Sequence, residues 1–511
     1  MTAAPCLVWF RQDLRLTDHP ALSAARERGG AIIPVYIWAP EEEGGWAPGA
    51  ASRYWLHQSL AAHEGELARC GSRLILRAGD AVEELGRMLH ETGARAIFWN
   101  RRYEPAAARQ EERLRARLSG ENVELRDFPG NLLFEPDELR TKSGGPFQVF
   151  TPFYREALRR YHHEPPLGRP RRLKAPARWP RSLRLADLGL LPGVDWAGGI
   201  RAFWEFGERA AQKRLREFAA GAVDEYERLH DQVHQDGTSC LSPHLHFGEI
   251  SPHQVWEAFQ GEAWRGEGLR GGAPRRKASG GKSSRVAGLQ PLQRAAPRPT
   301  SGGASAFLRQ LIWREFAHHV LTHFPELPDQ PLRPQFARLP WRKATRQIEA
   351  WQRGRTGYPL VDAAMRQLWE TGWMHNRARM VVGSFLVKDL LVRWQEGEVW
   401  FWDTLVDGDL ANNAFNWQWI AGCGADPAPF FRIFNPTLQG KKFDPEGEYV
   451  RRYVPELAGL SDNFIHEPWT APADVRARAG VVLGKTYPEP IVDHAEARDR
   501  ALMVLGRIKG T

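Results

Sequence analysis

Between Cys6 and about Phe128, short β-type runs alternate with helical patterns. The runs are CLVWF, AIIPVYIW, RLILRAG, AIFWN and VELRDF, and between them lie segments such as SRYWLHQSLAAHEGELARCG. Strands alternating with helices of this length predict a parallel, doubly wound α/β sheet over residues 1–130. No GxGxxG follows the first run, so dinucleotide binding through that fingerprint is unsupported here. Over 131–200 the periodicity is lost and Pro, Arg and Gly dominate, as in HHEPPLGRPRRLKAPARWPRSL. This stretch reads as a long linker crossing between domains. From 201 to 511 apolar residues recur at every third and fourth position, as in LIWREFAHHVLTHF and GSFLVKDLLVRW, which predicts an all-helical domain. Inside it, residues 265–305 are dense in Gly, Ser, Pro and Arg and too poor in hydrophobics to fold alone.

The length of 511 residues agrees with two or more units, since a single core rarely organises so long a chain. Lys and Arg number 70 against 61 Asp and Glu, a net charge of +9 with a pI near 9.5. Such a balance suits a polyanionic partner, although arginine-rich composition alone produces it too. The 265–305 stretch is accordingly either a tolerated surface insertion or a flexible basic arm for nucleic acid. Cys6, Cys70, Cys240 and Cys423 are scattered without CxxC or paired-His spacing, so neither a metal site nor a disulfide framework is signalled. The start, Met1-Thr2-Ala3-Ala4-Pro5, carries no secretory pattern, and no run approaches the ~18 apolar residues of a membrane span. A cytoplasmic, membrane-free protein is expected. Tryptophan is unusually frequent, 21 against 10 Tyr, mostly beyond residue 195. Core packing accounts for most of these indoles but need not account for all.

Three segments carry candidate chemistry. In YERLHDQVHQDGTSCLSPHLHFGEISP, Thr238, Ser239 and Ser242 precede a helical pattern, where hydroxyls and free N–H groups suit a pyrophosphate or act as plain caps. In FLRQLIWREF and GRTGYPLVDAAMRQLWETGWMHNRARM, Gln310 and Trp313 share a helix face. So do Trp373, Asn376 and Met380, at i, i+3 and i+7, and a face mixing amide, thioether and indole suits a heteroaromatic ring. In LVDGDLANNAFNWQWIAGCGADPAPFFRIFNPTLQGKKFDPEGEYVRRYVPEL, Asp407, Asp409, Asn412 and Asn413 precede Trp417 and Trp419. On a helix those two indoles are about 200° apart, so they point to opposite sides.

Together with VWFRQDLRLTDHPAL, KSGGPFQVFTPFYREAL and YPEPIVDHAEARDRAL, these segments strongly resemble the photolyase and cryptochrome family, and in particular its bacterial cyclobutane-dimer photolyases. The likeness covers nearly the whole chain except 265–305. It implies a Rossmann-like N-terminal domain that holds an antenna pigment and a C-terminal helical domain that buries a U-shaped FAD. The implied FAD-binding positions are Tyr226, Thr238, Ser239, Leu241, Ser242, Arg314, Arg379, Asp407, Asp409 and Asn413. Asn413 matches the position beside flavin N5, where an amide accepts a hydrogen bond without offering an acidic proton. That favours repair over signalling. Asp407 and Arg379 match a carboxylate and guanidinium near the isoalloxazine.

The implied lesion cavity comprises Gln310, Trp313, Asn376, Met380 and Trp419, two of them indoles able to stack on an extruded base. Trp417, Trp394 and Trp341 match a chain of indoles that carries electrons inward from the surface. The implied reaction is light-driven: excited reduced flavin gives an electron to a pyrimidine dimer in DNA, the two cyclobutane bonds open, and the electron returns, with no metal needed. One position departs from the pattern. Dimer photolyases usually carry Glu where this chain has Gln310, and Gln is more typical of six-four photolyases and animal cryptochromes. Met374-His375-Asn376 and Met380 fit the dimer class instead, since six-four enzymes show a pair of His there. A cryptochrome photoreceptor is the rival of a different class, disfavoured by Asn413 and by the short stretch after Pro488. Pro105-Ala106-Ala107 lacks the polar pair of one common folate arrangement, so a folate bound in another way is expected ahead of a deazaflavin. A monomer is expected.

Overall fold

The computed structural model describes residues 3–162, 164–259, 302–430 and 432–509. All five expected strands form: β1 is Cys6–Phe10, β2 Ile32–Trp38, β3 Ile75–Ala78, β4 Ala96–Asn100 and β5 Glu124–Phe128. They pair in parallel in the order β3-β2-β1-β4-β5. Every residue of the central β1 is buried, which explains why it reads as an unbroken apolar run. Its alternation survives in the packing. Cys6, Val8 and Phe10 join the core under the Pro20–Arg28 helix, while Leu7 and Trp9 join the opposite one with Leu85, Met88 and Leu114.

The helical half folds around two further cores, one centred on the Pro359–Thr371 and Asn376–Ser384 helices and the other on the Gly302–His323 helix. The helix Leu410–Ala421 contributes side chains to both. Buried polar groups tie this half to the sheet. Arg15 is fully buried and donates to the carbonyls of Asp18 (3.0 Å), Gly248 (3.1 Å) and Gly130 (2.5 Å). Glu249, also fully buried, accepts from the Gly207 amide (2.9 Å), Trp55 Nε1 (3.3 Å) and the Ser59 hydroxyl, and meets His244. Among the described residues, no helix is long and apolar enough to cross a membrane.

Two sequence expectations change. The 131–200 stretch is not all linker, because Phe150–Arg160 is a helix that buries Phe150, Phe153 and Ala157. Its three-and-four apolar spacing is too short to stand out among the prolines around it. Residues 302–305 are not part of the insertion: they open the Gly302–His323 helix, and Gly303 lies where a Cβ would meet the Val223 carbonyl at 1.9 Å. The rest of the 265–305 segment lies outside the described residues.

Glu315 fastens the stretch after β5 to this helix, its Oε2 accepting the amides of Leu133 (2.8 Å) and Phe134 (3.2 Å). Burial pushes its carboxyl up to about 8, against the pull of Arg314 and of the two amides. A raised carboxyl means that the folded state binds more protons, so this stability is complete below the ordinary value of 4.5 and is lost as pH rises through about 8. Glu315→Gln is expected to remove up to one proton's worth of that slope, about 1.4 kcal/mol per pH unit, in denaturant titrations across this window. An unchanged slope counts against the assignment.

Candidate functional site

The site is built from the start of the Leu410–Ala421 helix. Asp409 caps it, its Oδ1 accepting the Asn412 amide (2.8 Å) and the Asn412 side-chain nitrogen (2.7 Å). One turn on, Asn413 is buried and donates Nδ2 to the Glu398 carbonyl (2.9 Å). That bond uses the amide's donor end and leaves its Oδ1 to accept from a ligand. Facing it, the Asn376–Ser384 helix supplies Arg379, whose Nη2 lies 2.8 Å from one Asp407 oxygen and 3.1 Å from the other. Arg379 Nε donates to the Met374 carbonyl (2.8 Å), which fixes the fork.

Asn413, Arg379 and Asp407 line a cavity of about 610 Å³ that also takes in Asn376, Met380, Asn412, Trp417 and Trp419. The structure therefore brings Asn376, Arg379, Met380, Asp407, Asn413, Trp417 and Trp419 to one space. The residues fit a flavin: one acceptor amide, one guanidinium paired to a carboxylate, and indole walls. Trp373 does not join them as its helical spacing implied. Gly372, at φ 67°, ends one helix and His375 caps the next, so Trp373 lies in the turn between and donates Nε1 to the Ser242 hydroxyl (3.3 Å).

The other expected cofactor positions do not line this cavity. Thr238 and Ser239 sit on a loop held by Arg214, whose Nε donates to the Ser239 carbonyl (2.9 Å). Ser242 is exposed at the start of the short Ser242–His246 helix, and Leu241 before it is buried. Tyr226 is buried and stacks on His230, centroids 5.0 Å apart. Arg314 donates to the Asn131 carbonyl (2.9 Å) and shares a pocket of about 250 Å³ with Asp409. Burial would raise the Asp409 carboxyl, but His318 (3.3 Å) and His246 (3.9 Å) hold it well below the usual range.

Gln310 and Trp313 stand together on the Gly302–His323 helix, the amide exposed and the indole half-buried, with Trp313 6.0 Å from the Phe415 ring of the Leu410–Ala421 helix. Of the expected electron chain, only Trp341 nears the surface. Trp417 and Trp394 are 3% and 2% exposed, while Trp341 is half-buried at the edge of a wide groove. Gly397 lets the Trp394–Thr404 helix press on Trp417, since a Cβ there would lie 2.1 Å from the indole. The Arg342 amide donates to the Leu391 carbonyl (2.8 Å), which holds Trp341 beside the entry to that helix.

Sequence reasoning missed Glu398. It is fully buried, neither carboxylate oxygen has a hydrogen-bond partner, and burial pushes it well above the ordinary carboxyl value. Its backbone carbonyl is the one that accepts from Asn413, so this raised carboxyl neighbours the amide. A lone glutamate in WQEGEVWFW carries no sequence signal of such burial.

Residues 307–507 match the family model for the FAD binding domain of DNA photolyase, and residues 6–171 match that for DNA photolyase. A deoxyribodipyrimidine photo-lyase of Agrobacterium fabrum is 46% identical over 512 residues, covering 100% of this chain and 99% of the relative. The chain belongs to the photolyase and cryptochrome family. Cryptochrome-1 of Arabidopsis thaliana is 39% identical, covering 97% of this chain and 69% of the plant protein. A crystal structure of a bacterial class III photolyase from Agrobacterium tumefaciens superposes with a TM-score of 0.90 at 46% identity, covering 100% of this chain and 99% of that one. The five-stranded parallel sheet and the helical half are those of this family, and the acceptor amide, ion pair and indole walls lie within the matched FAD-binding segment.

Removing Asp407 strands a partly buried guanidinium in that cavity. Asp407→Ala is expected to weaken flavin retention by about 2 kcal/mol, read as the flavin-to-protein absorbance ratio after gel filtration. Retention equal to that of the parent protein contradicts a cofactor role for the pair.

Proposed function

We propose that this family member splits cyclobutane pyrimidine dimers in DNA under blue light and holds FAD with Arg379, Asp407 and Asn413 at the ring. Tyr226, Thr238, Ser239, Leu241, Ser242, Arg314 and Asp409 serve the rest of the cofactor. Reduced FAD, when bound and excited, supplies the electron that opens the dimer and receives it back. The observation that carries the reading is the single cavity in which Asn413 and the Arg379–Asp407 pair meet Asn376, Met380 and Trp419. Asn413 holds an acceptor toward N5 while Arg379 and Asp407 offer a fixed dipole to shifting charge. Trp419 and Trp313 are the indole walls on which the flipped lesion stacks, each contact worth about 1–3 kcal/mol. Asn376 and Gln310 hydrogen-bond its carbonyl edges. Trp417, Trp394 and Trp341 return electrons to the cofactor from the surface.

Two observations disfavour the rivals. His375 is buried as a helix cap, Nδ1 accepting the Arg377 amide (3.2 Å), and burial lowers it to about 4, so it offers a six-four lesion no acid. Asn413 offers the flavin no acidic proton, unlike the carboxylic acid that a signalling cryptochrome would place there.

For the antenna we favour folate over deazaflavin. A groove lined by the exposed Trp196 and Trp369 and the half-buried Trp400 beside Arg342, Arg353 and Arg393 suits a flat pterin with an anionic tail. The cleft of about 840 Å³ at the end of the sheet is lined instead by Arg102, whose charge is already paired with Glu43 (2.7 Å) and Glu104 (3.2 Å).

The deciding experiment illuminates purified flavoprotein with oligothymidine carrying either a cyclobutane dimer or a six-four lesion. Repair of the first alone is expected, and repair of neither overturns the enzyme reading. Gln310→Glu is expected to raise the repair yield per absorbed photon. Affinity for damaged duplex is expected to fall with salt at a log–log slope of about 0.9 per phosphate contacted.

A further inference from the structure

The two indole walls assigned to the lesion stand on different helices, so something must set the gap between them. Trp313 shows what holds one side. Its ring lies face to face with Phe150, centroids 3.5 Å apart and planes 6° from parallel. Aromatic pairs usually offset or tilt, as the other neighbours of Trp313 do: Phe316 at 65° and Phe415 at 55°. Phe150 lies flat on one face of the half-buried indole, so on the proposed reading the base stacks on the other. Phe150 is itself 1% exposed and stacks on Tyr154 (5.6 Å, 28°), with the Arg309 guanidinium over both rings at 5.5 and 5.6 Å.

The backbone of Phe150 is anchored to the other wall. Its amide donates to Asp426 Oδ2 (3.1 Å), and the Asp426 amide donates back to the Gln148 carbonyl (2.9 Å). Asp426 holds a left-handed φ of 41°, which turns the chain after the Leu410–Ala421 helix back on itself. Two residues later the Ala428 amide donates to the Trp419 carbonyl (3.1 Å). A short path thus runs from the Trp419 backbone through Asp426 and Phe150 to the Trp313 ring.

We infer that Phe150 and Asp426 form a brace that positions Trp313 relative to Trp419 and so sets the width of the lesion slot. Both are positioning residues, since neither lines the flavin cavity. The inference rests on the reading of Trp313 as a stacking wall. A leucine at 150 keeps the bulk but not the flat face, so the indole is free to tilt into the slot.

The test compares repair kinetics, flavin content and lesion-free flavin photoreduction in the full-length holoenzyme and its Phe150→Leu, Phe150→Tyr, Asp426→Asn, Trp313→Leu and Phe150→Leu/Trp313→Leu variants. Phe150→Leu is expected to raise KM for the dimer about tenfold with kcat, flavin content and photoreduction unchanged, and Phe150→Tyr to restore it. Phe150→Leu adds nothing once Trp313 is leucine. Asp426→Asn, which keeps the size and weakens the anchor, raises KM in the same direction and carries the test alone if Phe150→Leu does not fold. A rise with Trp313→Leu but none with Phe150→Leu or Asp426→Asn overturns the brace. Equal effects of Phe150→Leu with and without Trp313 also overturn it. No rise with Trp313→Leu itself removes the stacking wall, and the brace with it.

Discussion

The Leu410–Ala421 helix must lie in two apolar cores at once and still present polar atoms to a cavity. Its start is the constraint on which the rest of the site depends. An amide buried there is tolerable only when its hydrogen bonds are made, so the Asp409 cap and the bond from Asn413 to the Glu398 carbonyl are conditions of folding as much as of chemistry. Because these bonds form in a low-dielectric interior, they also fix which end of Asn413 faces a ligand. The same burial acts on Glu398 in the opposite sense. With no partner for either oxygen, burial pushes its carboxyl well above the ordinary value, which disfavours a negative charge beside the acceptor amide.

Charge in the site is consequently paired or suppressed. Arg379 has Asp407, Asp409 has His318 and His246, and burial disfavours the ionised form of Glu398. A cofactor that loses and regains an electron needs surroundings whose dipoles are already set, because reorganisation in a packed core is slow and costly. The sheet domain contributes to that rigidity from outside. The segment from His244 to Glu249 bonds to the loop after β1 through Leu14 and Arg15, while His246 within it reaches Asp409. The wall beside the helix cap is therefore held from both halves of the chain.

What the residues determined by themselves is the part of the structure governed by local rules. β1, β2 and β4 are legible because strands buried on both faces read as apolar runs bounded by turns, while the edge strands β3 and β5 are partly exposed, and the sheet all five form is parallel as expected. The segments holding Asn376, Arg379, Met380, Asp407, Asn413 and Trp419 are legible because amides, carboxylates and indoles rarely cluster in apolar helices, and these residues do line one cavity. Only the tertiary structure decided the rest. Trp373 left the helix face because Gly372 and the His375 cap break the helix just before Asn376, a boundary finer than periodicity resolves. The Phe150–Arg160 helix, the early start of the Gly302–His323 helix, and the pairing of Phe150 with Trp313 all depend on contacts between distant segments. So do the raised carboxyls of Glu315 and Glu398. A side chain's charge is set by the dielectric around it, and that is a property of the packed fold rather than of its neighbours in sequence.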